Sequence, residues 1–164
     1  MELEVAFEKP WPETSEAIAL VERCAEVASL VAPELARYRL VASVLFTDDD
    51  TVHALNRQWR ERDKPTNVLS FPMVARQELL DLAPEGPPAM LGDLALAHQT
   101  CVREAQEKGI ALDQHAAHLI IHGLLHLAGY NHVHSDEEAE AMEALEIAAL
   151  AKMGIGDPYD DREL

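Results

Sequence analysis

Short apolar runs and two-residue alternation predict the strands of this chain. Leu3, Val5 and Phe7 alternate with charged residues, as expected of a strand that buries one face. Three further segments are short and apolar, and the first of them is rich in β-branched residues, which favours an interior strand. These segments are 39–46, 68–71 and 91–97.

Five longer segments carry apolar residues every three or four positions, which predicts helices. Thr14 or Ser15 can cap the first helix, which ends near Pro33, and a glycine follows each of the last three. In the second helix, Trp59 stands one turn after Leu55, so we expect its side chain in the core rather than stacked on a nucleobase. After the first helix, the predicted helices are 48–59, 99–108, 112–128 and 136–153.

Strands interspersed with helices predict an α+β fold, in a single domain that spans residues 1–164. We expect a small mixed sheet of about four strands packed with about five helices. Three prolines and one glycine between 73 and 90 predict a long surface loop.

The charge of the chain limits its partners. Its formal net charge is −17, which argues against a protein that holds nucleic acid by bulk attraction, since such binding neutralises phosphates. Arg57, Arg60, Arg62 and Lys64 nevertheless form a basic cluster that can meet a polyanion locally.

Other features of composition favour a cytoplasmic protein. No apolar run approaches the roughly 18 residues of a membrane span, and the acidic N-terminus lacks the basic start of a signal peptide. Cys24 and Cys101 are isolated, as expected of buried thiols in a reducing compartment.

The segment 122–132, HGLLHLAGYNH, predicts a metal site at the end of a central helix. His122 and His126 are four residues apart and share one helix face. Gly129 can end the helix and let the chain turn back, which brings His132 towards them. Three imidazoles with an open fourth position are typical of catalytic zinc, although imidazole also suits other divalent metals.

Other histidines offer alternative ligands. His115 and His118 share the stripe of His122, and His134 follows His132 closely. The HxxxHxxGxxH spacing of zinc proteases favours 122, 126 and 132 as the ligands. We therefore expect His115 and His118 to orient ligands or to face the substrate.

The motif differs from that of zinc proteases at one position. Those enzymes place a glutamate general base directly after the first histidine, where this chain has Gly123. A hydrolase of another bond, such as a phosphodiester, needs positive charge near the developing anion, and the basic cluster around Arg60 could supply it.

Three segments together resemble the YbeY family of bacterial metal-dependent endoribonucleases. They are LNRQWRERDKPTNVLSFP at 55–72, LGD at 91–93 and HGLLHLAGYNH at 122–132, and an acidic AEAMEALE at 139–146 follows. The resemblance implies a single-strand-specific endoribonuclease that matures the 3′ end of small-subunit ribosomal RNA and helps to remove defective ribosomes.

Carried over by position, the resemblance implies that His122, His126 and His132 bind one zinc ion and that Arg60 is catalytic. Asn131 replaces the aspartate usual in the family, which removes a possible base. The expected partners are ribosomal RNA or the pre-ribosome, with ribosomal or assembly proteins, and neither DNA nor a membrane. Two other functions remain open: a zinc hydrolase of a peptide or amide bond, and a non-catalytic assembly factor with a structural zinc.

Overall fold

Four strands form one mixed sheet in the computed structural model, which describes residues 1–60, 66–131 and 135–159. The strand order is β1-β2-β4-β3, with β2 parallel to both β1 and β4 and with β3 antiparallel to β4. The strands are β1 (Glu2–Phe7), β2 (Leu40–Thr47), β3 (Val68–Pro72) and β4 (Ala89–Ala97).

Six α-helices lie in the described part of the chain. The first is capped by Thr14, whose hydroxyl accepts a hydrogen bond of 3.0 Å from the amide of Ala17. The helices are α1 (Ser15–Val31), α2 (Asp49–Arg60), α3 (Arg76–Leu80), α4 (His98–Lys108), α5 (Leu112–Leu127) and α6 (Asp136–Lys152).

The main core lies between one face of the sheet and the layer of α1, α5 and α6. Helix α5 is central, since it contacts α1, α4, α6, β3 and β4. Its apolar residues Ile120, Ile121 and Leu124 are fully buried. A helix buried on this scale is held rigidly, and it gives the side chains at its C-terminal end a fixed position.

The opposite face of the sheet is covered only in part. Helix α2 packs there through Val52, which joins a small cluster with Leu69, Ala95 and Ala97. Arg60 at the end of α2 and Pro72 at the end of β3 line the same cleft as His126, near the end of α5.

The predicted α+β fold with a four-stranded mixed sheet is confirmed. One helix more than expected is present. It is α3, which lies inside the segment predicted to be a loop. The sequence did not predict it because five residues are too few to show a helical period. None of the helices in residues 1–60, 66–131 and 135–159 has the length and apolar content needed to span a bilayer.

Candidate metal centre

The end of α5 presents His122 and His126 on one face, as the spacing predicted. Their Nε2 atoms lie 3.0 Å apart. Gly129 then adopts a φ of +98°, and the amide of Tyr130 donates 3.0 Å to the carbonyl of Leu125, which closes the helix. A Cβ at Gly129 would lie 2.6 Å from Cδ of Arg76, so a larger residue would not fit there. His132 lies outside the described residues.

The hydrogen bonds of the two rings determine which nitrogen carries the proton. His126 Nδ1 lies 3.0 Å from the carbonyl oxygen of Tyr130, and His122 Nδ1 lies 3.0 Å from Oε1 of Glu146. A carbonyl and a carboxylate only accept hydrogen bonds, so each Nδ1 must be the donor. When both rings are neutral, each Nε2 carries a lone pair, and the two lone pairs converge on one region.

Two acceptor nitrogens at this distance repel each other unless a proton or a metal cation lies between them. A metal-binding histidine usually binds the metal through one ring nitrogen and donates a hydrogen bond from the other to a carboxylate or a backbone carbonyl. The donor set of His122 and His126 therefore fits a divalent metal with a preference for imidazole.

Glu146, in α6, is the buried carboxylate behind this pair. Its Oε1 accepts hydrogen bonds from His118 Nε2 at 2.8 Å, from His122 Nδ1 at 3.0 Å and from the Tyr159 hydroxyl at 2.8 Å. Burial raises the pKa of Glu146, but the hydrogen bonds from His118 and His122 outweigh it and lower the pKa to about 2. The group is therefore an acceptor anion that orients both rings.

A second set of potential ligands overlaps the first. His118, His122 and Glu146 place one ligand atom each within 4.8 Å of one another, so they also could hold a metal ion. This set would use the Nδ1 face of His122, whereas the pair with His126 uses its Nε2 face. The side chains of His118 and Glu146 are only 9% and 1% exposed, compared with 22% for His122.

A cleft of about 760 Å³ brings the pair together with Arg60, the last residue of α2. Arg60 is exposed, and it lines the cleft together with the C-terminal end of α5. Residues of β3 and of the turn after α5 also line it. The lining residues are Arg60, Thr66, Asn67, Val68, Ser70, Phe71, Pro72, His122, Gly123, His126, Gly129, Tyr130 and Asn131.

The other two histidines of the stripe lie behind the cleft. His118 contacts Glu146, so it orients a group that holds His122. His115 is buried and pairs with Glu104 at 2.8 Å, and Asn67 donates to that same carboxylate at 2.9 Å. Burial lowers the pKa of His115, although the hydrogen bond to Glu104 opposes this effect.

Packing explains why no glutamate follows His122. Gly123 faces β4, where an added Cβ would lie 2.6 Å from Cδ2 of Leu94. Leu94 is itself buried in the core, so it has little space to move. A protease-type glutamate therefore does not fit at this position of α5 without repacking the core.

The sequence analysis missed Glu146, whose helix carries many surface acids. One signal distinguishes it from the other acids of α6. Met142, Glu146, Ala149 and Leu150 are buried and recur at positions one or two turns apart, so Glu146 lies within the apolar stripe. A carboxylate in such a stripe requires a hydrogen-bonded partner, which here is a pair of histidines.

A solved structure with this fold supports the architecture. The solution structure of TM1509 from Thermotoga maritima matches with a TM-score of 0.56 and 24% sequence identity, and it covers 92% of this chain and 91% of that one. At this level of identity the match supports the fold alone.

Closer relatives extend over nearly the whole chain. An Erythrobacter litoralis protein named Endoribonuclease YbeY is 63% identical over 162 residues, which cover 99% of each chain. A Novosphingobium aromaticivorans protein of the same name is 56% identical over 96% of this chain and 95% of its own length. The family model described as Endoribonuclease YbeY matches residues 9–154. The geometry at the end of α5 and these matches lead to one conclusion: the chain belongs to the endoribonuclease YbeY family.

Proposed function

We propose that this chain is a zinc-dependent, single-strand-specific endoribonuclease that acts in ribosomal RNA maturation, at the 3′ end of the small-subunit RNA, and in ribosome quality control. The observation that carries the proposal is the shared cleft, which is lined by Arg60 and by two histidines whose Nε2 atoms lie 3.0 Å apart. The names and the sequence identity of the relatives support RNA as the substrate.

The proposal treats residues 1–164 as one metal-dependent hydrolase domain that works in the cytoplasm. Its partners are ribosomal RNA or the pre-ribosome, with ribosomal or assembly proteins. The net charge of −17 favours recognition through such an assembly, because bulk attraction for naked RNA is weak in so acidic a chain.

His122 and His126 would hold the metal through Nε2, and His132 is the proposed third ligand. This choice is preferred over the set with His118 and Glu146 because the Nε2 pair borders the open cleft, where a substrate can arrive. Glu146 then stays a hydrogen-bond acceptor for His122. Zinc is the proposed ion, and another divalent metal with affinity for imidazole would suit the same donors.

The residues of the cleft have different roles in the proposed phosphodiester cleavage. A divalent cation bound here supplies positive charge and lowers the pKa of a water molecule. Arg60 places its guanidinium against the phosphoryl oxygens, where it stabilises the negative charge that grows in the transition state. Asn131 can hydrogen-bond to the substrate but cannot take a proton.

Cleavage of precursor ribosomal RNA by metal-loaded protein tests this proposal. We expect wild type to cut and both Arg60→Ala and His126→Ala to lose at least a hundredfold in rate, as is usual when a charge-stabilising group is removed. Arg103→Ala is the matched control, because Arg103 is an exposed helical arginine outside the cleft. Equal cleavage by all four proteins would indicate a contaminating nuclease and would refute the assignment.

A further inference from the structure

Trp59 is exposed, contrary to the expectation that it belongs to the core. Its exposed fraction is 66%, while Val52 and Asn56 on the same helix are buried. The last turn of α2 therefore presents a large indole to solvent, directly before Arg60. An exposed tryptophan costs hydration free energy, so a binding role is a stronger explanation than packing.

A groove of about 520 Å³ lies beside this indole, on the sheet face opposite the main core. Its walls are apolar and come from α2, β2 and the end of β3. They include Leu45, Leu55, Trp59, Phe71 and Met73. Met73 is also exposed, by 54%, so the described residues leave two large apolar side chains of the groove open to solvent.

The groove also has polar lining residues. The Ser43 hydroxyl donates a hydrogen bond to Oδ1 of Asp93, and both residues line the groove. An apolar groove that also holds hydrogen-bond acceptors matches a nucleobase, which has two apolar faces and a polar rim.

The groove adjoins the cleft of the candidate metal centre. Phe71 lines both, and Trp59 in the groove precedes Arg60 in the cleft, with about 3.8 Å between consecutive Cα atoms. A strand whose phosphate meets Arg60 can therefore place a neighbouring base on Trp59. Arg57 adds positive charge to the same end of α2.

We propose that this groove is a nucleobase subsite, in which one unpaired base of the RNA strand stacks on Trp59. The inference rests on the proposed function and deepens it. A base within a duplex cannot offer its face to the indole, so the subsite selects single-stranded RNA. Because stacking tolerates any base, Trp59 acts as a positioning residue with little sequence preference.

Kinetics on a short single-stranded RNA that contains the cut site test the subsite. Trp59→Ala should raise KM by about tenfold, the size expected for one lost base–aromatic stack, and should change kcat little. Trp59→Phe should recover most of the affinity. Tyr38→Ala is the control, because Tyr38 is a 70% exposed aromatic residue that lines neither the groove nor the cleft.

A scan of single abasic nucleotides along the same RNA identifies the stacked base. At one position, the abasic nucleotide should raise the KM of wild type but should cause no further rise in the KM of Trp59→Ala. The subsite would be overturned if the abasic nucleotide and Trp59→Ala raised KM additively at every position. A wild-type KM in Trp59→Ala would also overturn it. A Trp59→Ala protein that cuts RNA normally but no longer binds a ribosomal protein would assign the groove to a protein partner instead.

Tryptophan fluorescence separates failure of the subsite from failure of the proposed function. The chain has two tryptophans, so the quenching by RNA that disappears in Trp59→Phe comes from Trp59. Quenching without cleavage by the wild type would refute the nuclease and retain the subsite. Cleavage without Trp59 quenching would retain the nuclease and refute the subsite.

Discussion

The hydroxyl of Tyr130 donates a hydrogen bond of 2.7 Å to Glu34, a carboxylate 96 residues earlier in the chain. Arg76 joins them, since its Nη1 lies 2.6 Å from the same carboxylate and its guanidinium lies 4.5 Å above the Tyr130 ring. Arg76 also donates 2.7 Å to the carbonyl of Ala128, at the end of α5. The turn that carries the acceptor for His126 is therefore anchored from two distant parts of the chain.

Removing the hydroxyl of Tyr130 should loosen this anchor. Tyr130→Phe should lower the free energy of unfolding by about 1–2 kcal/mol, because the bond to a charged acceptor is lost. It should also weaken metal binding, since the Tyr130 carbonyl orients His126. Urea unfolding and metal titration measure the two effects, with Tyr38→Phe as the exposed control. Metal affinity equal to that of wild type would show that the hydroxyl does not orient the site.

The same cluster predicts a pH dependence of stability. Burial raises the pKa of Glu34, but the hydrogen bonds from Tyr130 and Arg76 outweigh it and hold the pKa below its usual 4.5. A carboxyl with a lowered pKa contributes stability above pH 4.5 and loses it as the pH falls through the lowered value. Unfolding measured from pH 7 to pH 3 should show wild type and Glu34→Gln converging below about pH 4.5. A constant difference across this range would contradict the assignment.

Local pattern was sufficient to predict α5 and its end, because a glycine in the left-handed region is a local signal. The position of Trp59 was not predictable in this way. Its spacing from Leu55 places both residues near one face of α2, yet only the helix's first turns lie fully over the sheet. Periodicity does not report where a helix extends beyond the element that it packs on, because this depends on tertiary structure.

The groups that accept hydrogen bonds from the rings of His122 and His126 show the same limit of prediction from local sequence. The histidines that form the Nε2 pair were predicted by their four-residue spacing. The acceptor of His122 lies 24 residues away on α6, and only the packing of α6 against α5 brings it there. Ligands close in sequence were predictable, whereas the groups that orient them were not.

The contact between Gly123 and Leu94 predicts a destabilising alanine. In most helix interiors Gly→Ala stabilises by about 0.5–1 kcal/mol. Here the added Cβ lies 2.6 Å from Leu94, and overpacking of that kind costs about 1–3 kcal/mol. We therefore expect Gly123→Ala to lower the free energy of unfolding. Gly156→Ala, with no atom within 4 Å of the added Cβ, is the control for urea unfolding. If Gly123→Ala is as stable as wild type, Leu94 moves aside and packing does not exclude a glutamate.

Replacing Glu146 distinguishes between the two ligand sets. If it only orients His122, Glu146→Gln should weaken metal binding by about 10–100-fold, as is usual for a group behind a ligand. If it is a ligand together with His118, the same change should abolish binding and His126→Ala should leave it intact. Competition with a chelator measures both, with the exposed Glu140→Gln as control. We expect the first result.

Metal binding should also stabilise the fold, because the ligands converge only in the folded chain. A metal ion at a hundred times its Kd contributes about 2.7 kcal/mol, which corresponds to a rise in Tm of roughly 5–10 °C for a domain of this size. His126→Ala should lose this rise, since one of the two converging Nε2 atoms is gone. His53→Ala, which removes a histidine of α2 outside the cleft, should keep it. Thermal unfolding against metal concentration measures the rise, and an equal rise in His126→Ala would place the metal elsewhere.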